Sequence, residues 1–161
     1  MLRTKMKRQV MLPGKKPQLD SEILTLLQED CRLSYAKIAN RLDIAVGTAF
    51  SSIKKLEKKG FIKKYSAVLD STKLGYELTT IILIQTEGGS DEVIEKELYN
   101  SPNVLGMYDV TGDYDLAIIG KFKNRTLLNS FIKKILSTPN IKRATTNMAL
   151  KVIKEDFGIE F

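Results

Sequence analysis

The sequence contains no histidine and only one cysteine, Cys31, among its 161 residues. A single cysteine cannot form an internal disulfide, and the usual zinc, haem and catalytic-triad sites lose their commonest ligand or base when histidine is absent. The composition therefore predicts no metal site, no cofactor and no catalytic centre. We expect a protein that is not an enzyme.

Long apolar runs are also missing. No segment approaches the roughly 18 consecutive apolar residues that span a bilayer, and the N-terminal stretch lacks the apolar segment of a secretory signal. We expect a cytoplasmic protein with no membrane partner. The hydrophobic fraction of 43% and the charged fraction of 28% are typical of a globular chain that buries a core, in one domain or two.

The net charge of +7 is unevenly distributed. Residues 1–17 carry six cations and no acid, residues 18–66 carry nine cations against six acids, and residues 67–161 carry eleven against thirteen. This division favours two domains, the first of which meets a polyanion. We predict that residues 1–17 form a flexible basic arm, because Pro13 and Gly14 interrupt any helical or strand periodicity. The alternative is a solvated, disordered arm that binds no polyanion.

Residues 18–66 are predicted to form a winged helix-turn-helix that binds double-stranded DNA. Apolar residues recur at helical spacing in three segments, and the second and third are separated by a three-residue turn. The expected elements are a helix from Leu19 to about Cys31, a helix capped by Ser34 and ending at Asp43, a helix after the turn at 43–45 that Gly60 terminates, and a wing strand or hairpin at 61–68.

The third helix has an inward stripe of Ala49, Ile53 and Leu56, so its opposite face is available for a DNA groove. Hydroxyl groups on that face can bond phosphates or base edges, and lysines can neutralise phosphates. The alternative is a helical hairpin with a solvated lysine face and Phe50 folded back onto the second helix. The predicted DNA-binding residues are Ser34, Tyr35, Gly47, Thr48, Phe50, Ser51, Ser52, Lys54, Lys55 and Lys58.

Residues 67–161 are predicted to form a ferredoxin-like βαββαβ domain, which makes the fold class α+β. The segment 70–76 breaks periodicity and is the best linker candidate. The expected elements are a strand at 78–86, a helix capped by Ser90, strands at 104–111 and 114–122 around the turn dipeptide Gly112-Asp113, a helix capped by Asn124 and a strand from about Ile141. One sheet face stays open, so we expect at least a homodimer.

Two segments carry a family resemblance. The stretch LSYAKIANRLDIAVGTAFSSIKKLEKKGFIKKYSAVLD, from Leu33 to Asp70, resembles the DNA-binding half of the Lrp/AsnC (leucine-responsive, feast/famine) regulators. The stretch VTGDYDLAIIGKF, from Val110 to Phe122, is similar to the TGDYD hairpin of their ACT-like (RAM) effector domain. The chain departs from the family at Ala45, where a small hydroxyl residue is common, and at Ser52, where arginine is common.

The resemblance implies homodimers that assemble into tetramers or octamers and bind an amino acid between dimers, near the TGDYD hairpin. A carboxylate there could hold the ammonium of an amino acid. Without the resemblance, Gly112-Asp113 is simply a tight turn. The implied effector-binding residues are Tyr108, Thr111, Gly112, Asp113, Tyr114, Asp115, Thr145, Thr146 and Asn147.

The sequence thus predicts a sequence-specific transcriptional regulator whose assembly or DNA binding responds to a small molecule, with an amino acid as the favoured effector. The main alternative is an architectural protein of the same fold that coats DNA with little sequence preference. An effector module whose helix-turn-helix serves only assembly is another. Siroheme decarboxylases also resemble this two-domain arrangement, but the absence of histidine argues against such an enzyme.

Overall fold

The computed structural model describes residues 17–88 and 92–159 and divides the chain into two compact units. Of the described residues, the first unit comprises 17–68 and 156–159, and the second comprises 69–88 and 92–155. Most of the predicted basic arm and the predicted cap Ser90 lie outside the described residues. Within the described ranges, no helix combines the length and the apolar character needed to cross a membrane.

Three helices build the first unit: α1 (Pro17–Glu29), α2 (Tyr35–Leu42) and α3 (Val46–Lys58). Helix α1 begins two residues before the predicted Leu19, since proline is well suited to the first helical turn, where its missing N–H costs no hydrogen bond. The predicted cap of α2 is confirmed, because Ser34 Oγ accepts a hydrogen bond from the Lys37 N–H at 3.3 Å. Asp43, in the left-handed conformation with φ of 51°, ends that helix.

Ala45 occupies the capping position before α3 and gives no side-chain hydrogen bond, as its departure from the family pattern implied. Gly60, with φ of +75°, follows the helix in a conformation that glycine adopts at little cost. The helices enclose one apolar cluster, whose most buried members are Ile23, Ile38, Ala39, Ala49, Ile53 and Leu56.

The predicted wing strand is absent from this chain. Residues 61–70 form neither a strand nor a hairpin, and residues 63–70 are exposed. A strand exists only when its backbone N–H and C=O groups find a partner strand. No strand in the described part of the chain pairs with this segment. The prediction of a wing strand or hairpin at 61–68 is therefore wrong: strand-forming side chains are present, but the backbone has no partner strand.

The second unit has the predicted element order. Its elements are β1 (Leu78–Thr86), α4 (Glu92–Tyr99), β2 (Val104–Asp109), β3 (Leu116–Phe122), α5 (Arg125–Ser137) and β4 (Ile141–Met148). The strands form one sheet in the order β2-β3-β1-β4, and every neighbouring pair is antiparallel. This is the ferredoxin-like arrangement, so the predicted α+β fold is confirmed.

The two faces of the sheet differ in burial. Ile82, Ile84, Leu116 and Ile118 lie on one face, where they share an apolar cluster with residues of α4 and α5 and are at most 1% exposed. Ile81, the neighbour of Ile82 along β1, points to the other face and is 47% exposed. Both helices thus cover one face, and the opposite face is open in a single chain.

The β2–β3 connection is wider than the predicted two-residue turn. The strands end at Asp109 and Leu116, and the Val110 N–H donates to the Asp115 carbonyl at 2.9 Å to close the loop. Gly112 adopts a φ of +118° within it. The Asp115 N–H bonds the Ile84 carbonyl on β1 at 2.9 Å, so Asp115 joins the loop to β1 as well as to Val110.

The predicted cap of α5 is confirmed. The Asn124 side chain accepts a hydrogen bond from the Leu127 N–H at 2.9 Å. Asparagine is among the best helix-capping residues because its side-chain oxygen satisfies an N–H that the first turn leaves unpaired.

Candidate DNA interface and effector site

Helix α3 separates buried apolar residues from an exposed polar face. Ala49, Ile53 and Leu56 are buried, as the periodicity predicted. The residues on the opposite side are exposed over the whole length of the helix, and Thr48 and Ser52 are half-buried at its flanks. The exposed members of the predicted DNA face are Gly47, Phe50, Ser51, Lys54 and Lys58.

Phe50 combines exposure with a contact to the preceding helix. Its ring meets the Tyr35 ring edge-on, with centroids 5.2 Å apart and planes at 85°. The ring is nevertheless 48% exposed. Packing against α2 therefore steadies Phe50 while leaving one side free to touch an apolar group such as a thymine methyl.

Hydroxyl groups mark the start of α2 and the first turns of α3. Ser34 uses its oxygen as an acceptor for the α2 cap, so its hydroxyl hydrogen remains able to donate to an anion. Ser51 Oγ donates to the Thr48 carbonyl at 3.1 Å, and the exposed oxygen can still accept a hydrogen bond. The uncapped start of α3 adds backbone N–H groups that favour anions.

Lys55 does not belong to the exposed face. Its Nζ lies 3.4 Å from Asp20 Oδ2 on α1, and Asp20 is only 3% exposed. A buried carboxylate needs a counter-charge, and Lys55 supplies it. The prediction put Lys55 at the edge of the DNA-facing side because it considered only the angle around the helix axis. The long side chain of Lys55 instead reaches Asp20 on α1.

A chain of polar contacts links Lys54 to the segment that follows α3. Lys54 Nζ lies 2.7 Å from Glu57 Oε2, and the Tyr65 hydroxyl donates to Glu57 Oε1 at 3.0 Å. The hydrogen bond and charge of Lys54, and then the Tyr65 hydroxyl, lower the pKa of Glu57, while Glu57 raises the pKa of Lys54. Partial burial of Tyr65, which is 45% exposed, followed by its hydrogen bond to Glu57, raises the pKa of Tyr65 to about 12.

Sequence reasoning missed the roles of Glu57 and Tyr65. The i,i+3 spacing of Lys54 and Glu57 was a usable signal, because such residues are neighbours on a helix surface. Tyr65 carried no comparable signal, since it reaches Glu57 from outside the helix.

In the second unit, the two aspartates of the TGDYD loop have different surroundings. Asp115 Oδ2 accepts hydrogen bonds from the Thr86 N–H at 2.7 Å and from the Thr86 hydroxyl at 3.0 Å. Its carboxylate is thus occupied in tying the loop to the end of β1. Asp113 is exposed, and no contact to its carboxylate is seen within the described residues. Of the two aspartates, Asp113 is therefore the more accessible to a cation from outside.

The predicted residues of β4 do not share one face. Thr145 and Asn147 pair in register with Leu83 and Ile81, so they lie on the open face, whereas Thr146 pairs with the buried Ile82 and lies on the helix-covered face. Successive strand residues point to opposite sides, which excludes Thr146 from a site shared with its neighbours. The Tyr114 hydroxyl lies 3.2 Å from Thr145 Oγ1 and links the loop to β4.

Tyr108 lies at the other edge of the open face. It pairs with Ala117, Ala117 pairs with Leu83, and Leu83 pairs with Thr145. Three strand spacings of about 4.8 Å separate the two ends of this row, so Tyr108 and Thr145 are too far apart for one amino acid to touch both. One chain therefore brings Tyr114 and Thr145 together but does not gather the full predicted set.

The depression of about 310 Å³ at the sheet edge in this unit is formed by other residues: Tyr99 and Val104 to Met107. Within the described ranges, no group of three or more cysteine, aspartate or glutamate side chains is placed to hold a metal ion.

Two family models match the chain. One, described as the Lrp/AsnC ligand binding domain, matches residues 79–159. The other, described as a winged helix-turn-helix DNA-binding domain, matches residues 17–63. Together they cover both units of the structure.

Relatives of similar length are transcriptional regulators by name. An HTH-type transcriptional regulator of Pyrococcus furiosus is 46% identical over 142 residues, which span 88% of this chain and 96% of the relative. The HTH-type transcriptional regulator FL11 of Pyrococcus horikoshii is 32% identical over 138 residues, which span 86% of this chain and 91% of that protein.

Solved structures show the same fold. An AsnC family transcriptional regulator from Agrobacterium tumefaciens superposes with a TM-score of 0.81 at 26% identity, covering 88% of this chain and 95% of that one. The transcriptional regulator NMB0573 from Neisseria meningitidis, solved as a complex with L-Met, superposes with a TM-score of 0.82 at 24% identity, covering 88% and 94%.

Proposed function

Because the chain belongs to the Lrp/AsnC family of transcriptional regulators, we propose that it binds specific DNA sequences and that an amino acid controls its assembly or its DNA binding. The family consists of regulators with a helix-turn-helix and a ligand-binding domain, not of enzymes, and DNA is the partner of the helix-turn-helix. The observation that carries the proposal is the division of α3 into a buried apolar stripe and an exposed face of hydroxyl, aromatic and cationic side chains.

The proposed DNA-contacting set follows the exposed face of α3 and the start of α2. Lys58 neutralises a phosphate, Ser51 contacts a base edge, and Ser34 donates to the backbone of the duplex. Lys55 is left out, because Asp20 already holds its ammonium. Since arginine is absent from the exposed face, DNA shape or A·T content contributes to the sequence preference. We propose residues 18–66 as the DNA-binding domain and 67–161 as the effector domain.

The proposed effector site centres on the TGDYD loop. Asp113 offers an exposed carboxylate for the ammonium of an amino acid, and Gly112 leaves open space beside it. The Neisseria regulator was solved with L-Met, which makes an amino acid the favoured class of ligand here. The separation of Tyr108 from Thr145 supports a site that a second chain completes.

Homodimerisation through the open sheet face supplies that second chain. Ile81 and Tyr108 are each 47% exposed on this face, and burying them against a partner removes apolar surface from water. Assembly of dimers into tetramers or octamers would place two TGDYD loops near each other.

The decisive experiment is selection of bound fragments from random and genomic DNA at a fixed salt concentration, repeated with each amino acid. We expect one enriched motif, pseudo-palindromic because a dimer presents two recognition helices, whose occupancy shifts with one amino acid. Retention of all fragments alike, with no response to any amino acid, would instead support an architectural DNA-coating protein.

A single substitution tests the effector site. Asp113→Ala should abolish the response to the amino acid while binding to the selected DNA survives, because the side chain lies in the effector domain. The measurement is DNA affinity with and without the amino acid. A variant that responds like the wild type would remove Asp113 from the site.

A further inference from the structure

The contacts among Lys54, Glu57 and Tyr65 end on the exposed face of α3 that the proposed function assigns to DNA. We infer that Glu57, held in place by Tyr65, competes with DNA phosphates for the Lys54 ammonium and thereby lowers unselective binding to DNA. The inference rests on the proposed function only in taking α3 as the helix that faces DNA. It distinguishes Lys54 from Lys58, although both are exposed lysines of the same helix.

The geometry makes Glu57 an effective competitor. Its Oε2 lies 2.7 Å from the Lys54 ammonium, which is the distance of a charge-assisted hydrogen bond. The Glu57 side chain is 28% exposed and the Lys54 side chain 52%, so the pair lies at the surface where a phosphate can reach it. A carboxylate there offers the same kind of oxygen acceptor that a phosphate offers.

Tyr65 prevents Glu57 from swinging away. An exposed lysine–glutamate pair is ordinarily weak, because ordering two long side chains costs entropy that the attraction barely offsets. Here the Tyr65 hydroxyl donates to the second carboxylate oxygen at 3.0 Å, so both oxygens of Glu57 are engaged. The Glu57 side chain is thus already partly ordered by Tyr65, so less entropy is lost when it binds Lys54.

Because Tyr65 lies outside α3, its hydrogen bond to Glu57 depends on the conformation of another segment. Tyr65 belongs to the segment after α3, which forms no strand in this chain. A rearrangement that moved this segment would remove the hydroxyl from Glu57 and weaken its hold on Lys54. The charge that α3 presents to DNA therefore depends on the conformation of residues outside the helix.

The test uses the full-length chain and a duplex that lacks the selected motif, with affinity measured over a range of salt concentrations. Each phosphate contact on duplex DNA contributes about 0.9 to the slope of log affinity against log salt. Glu57→Gln should tighten binding several-fold and steepen the slope by up to about 0.9, because it frees Lys54 for a phosphate. Lys54→Gln should reduce the slope less than Lys58→Gln does in the wild-type background.

A double-mutant cycle separates competition from simple repulsion. If Glu57 acts through Lys54, Glu57→Gln changes binding much less when Lys54 is already glutamine. Equal tightening in both backgrounds would mean that Glu57 only repels DNA, and would overturn the inference. Equal slope losses from Lys54→Gln and Lys58→Gln would also overturn it, because Lys54 would then already contact phosphate.

Tyr65→Phe provides a test without any change of charge. It removes the hydroxyl that holds Glu57 and should tighten unselective binding in the same direction as Glu57→Gln, by a smaller factor. Tyr99→Phe, at an exposed tyrosine of α4 that is 74% accessible, is the matched control and should have no effect. An unchanged affinity for Tyr65→Phe would remove Tyr65 from the mechanism.

Failure of the proposed function has a different signature. If Lys58→Gln leaves the salt slope unchanged, α3 does not face DNA, and both the interface and the inference fall. If Lys58→Gln lowers the slope while the cycle shows no coupling between Lys54 and Glu57, the interface stands and only the inference fails.

Discussion

The two units of this chain differ in how completely a single copy of the chain buries their apolar residues. In the first unit, three helices enclose their apolar cluster, and Ile38, Ala49 and Leu56 are at most 1% exposed. In the second unit, α4 and α5 cover one face of the sheet and leave Ile81 and Tyr108 half-exposed on the other. The comparison teaches that packed helices can enclose an apolar core within one chain, whereas a sheet covered by helices on one side leaves apolar residues of its other face exposed.

Polar groups show the same contrast. On α3, five of the predicted contact residues lie along one exposed face of one helix: Gly47, Phe50, Ser51, Lys54 and Lys58. In the effector domain the predicted residues are divided between the two faces and opposite edges of the sheet. A helix places residues three or four positions apart on one side through its own period. Successive residues of a strand point to opposite faces, so a site on a sheet needs residues from several strands.

The largest expected effect tests the two faces of β1 by neighbouring substitutions. Ile82→Ala should lower the free energy of unfolding by about 2–5 kcal/mol, because it opens a cavity in the helix-covered core. Ile81→Ala, the matched control on the open face, should weaken association of the chains rather than the fold of each one. Urea unfolding measures the stability of each variant, and sedimentation measures the association of its chains. Equal losses of unfolding free energy in the two variants, at a concentration where the chain is monomeric, would contradict the assignment of faces.

An intermediate effect separates the two aspartates of the TGDYD loop. Asp115→Ala should lower the free energy of unfolding by about 1–3 kcal/mol, because it removes the acceptor that ties the loop to Thr86. Asp113→Ala should leave stability nearly unchanged, since its carboxylate is exposed. Thermal unfolding of both variants is the measurement, and comparable losses would show that Asp113 also has a structural role.

The smallest expected effect concerns the alkaline titration of Tyr65. Its pKa is raised to about 12, so between pH 10 and 12 the folded chain keeps a proton that the unfolded chain loses. The stability that Tyr65 contributes is therefore complete below pH 10 and lost as the pH rises through 12. Absorbance titration should show a phenol ionising near pH 12, and Tyr65→Phe should remove that step. Persistence of the step would assign it to another tyrosine.

Much of the fold could be predicted because it depends on local pattern. The stripes of α1 to α3 follow from apolar spacing, Ser34 and Asn124 cap helices through their nearest N–H groups, and alternation of strands and helices specifies the ferredoxin-like order. The stripe of α3 also placed Ser51, Lys54 and Lys58 on one exposed face. Each of these outcomes involves residues a few positions apart.

The corrections concern partners that lie far apart in the sequence. Residues 61–68 have strand-forming side chains but no strand to pair with among the described residues, and Asp115 in the widened β2–β3 loop donates its N–H to Ile84 on β1. Lys55 turns to Asp20 on α1, 35 positions away. Propensity and periodicity describe how a segment prefers to fold, not which distant group it meets.

The sequence by itself determined the helices, the order of the strands and helices in the second unit, the two caps and the family, because these rest on neighbouring residues and on short matched motifs. Tertiary structure decided that Lys55 pairs with Asp20, that Tyr65 reaches Glu57, and that Asp115 is tied to Thr86 while Asp113 stays exposed. The physical reason is range: helix periods and caps are set within one or two turns, whereas a charged side chain selects its partner only after the fold has brought distant segments together.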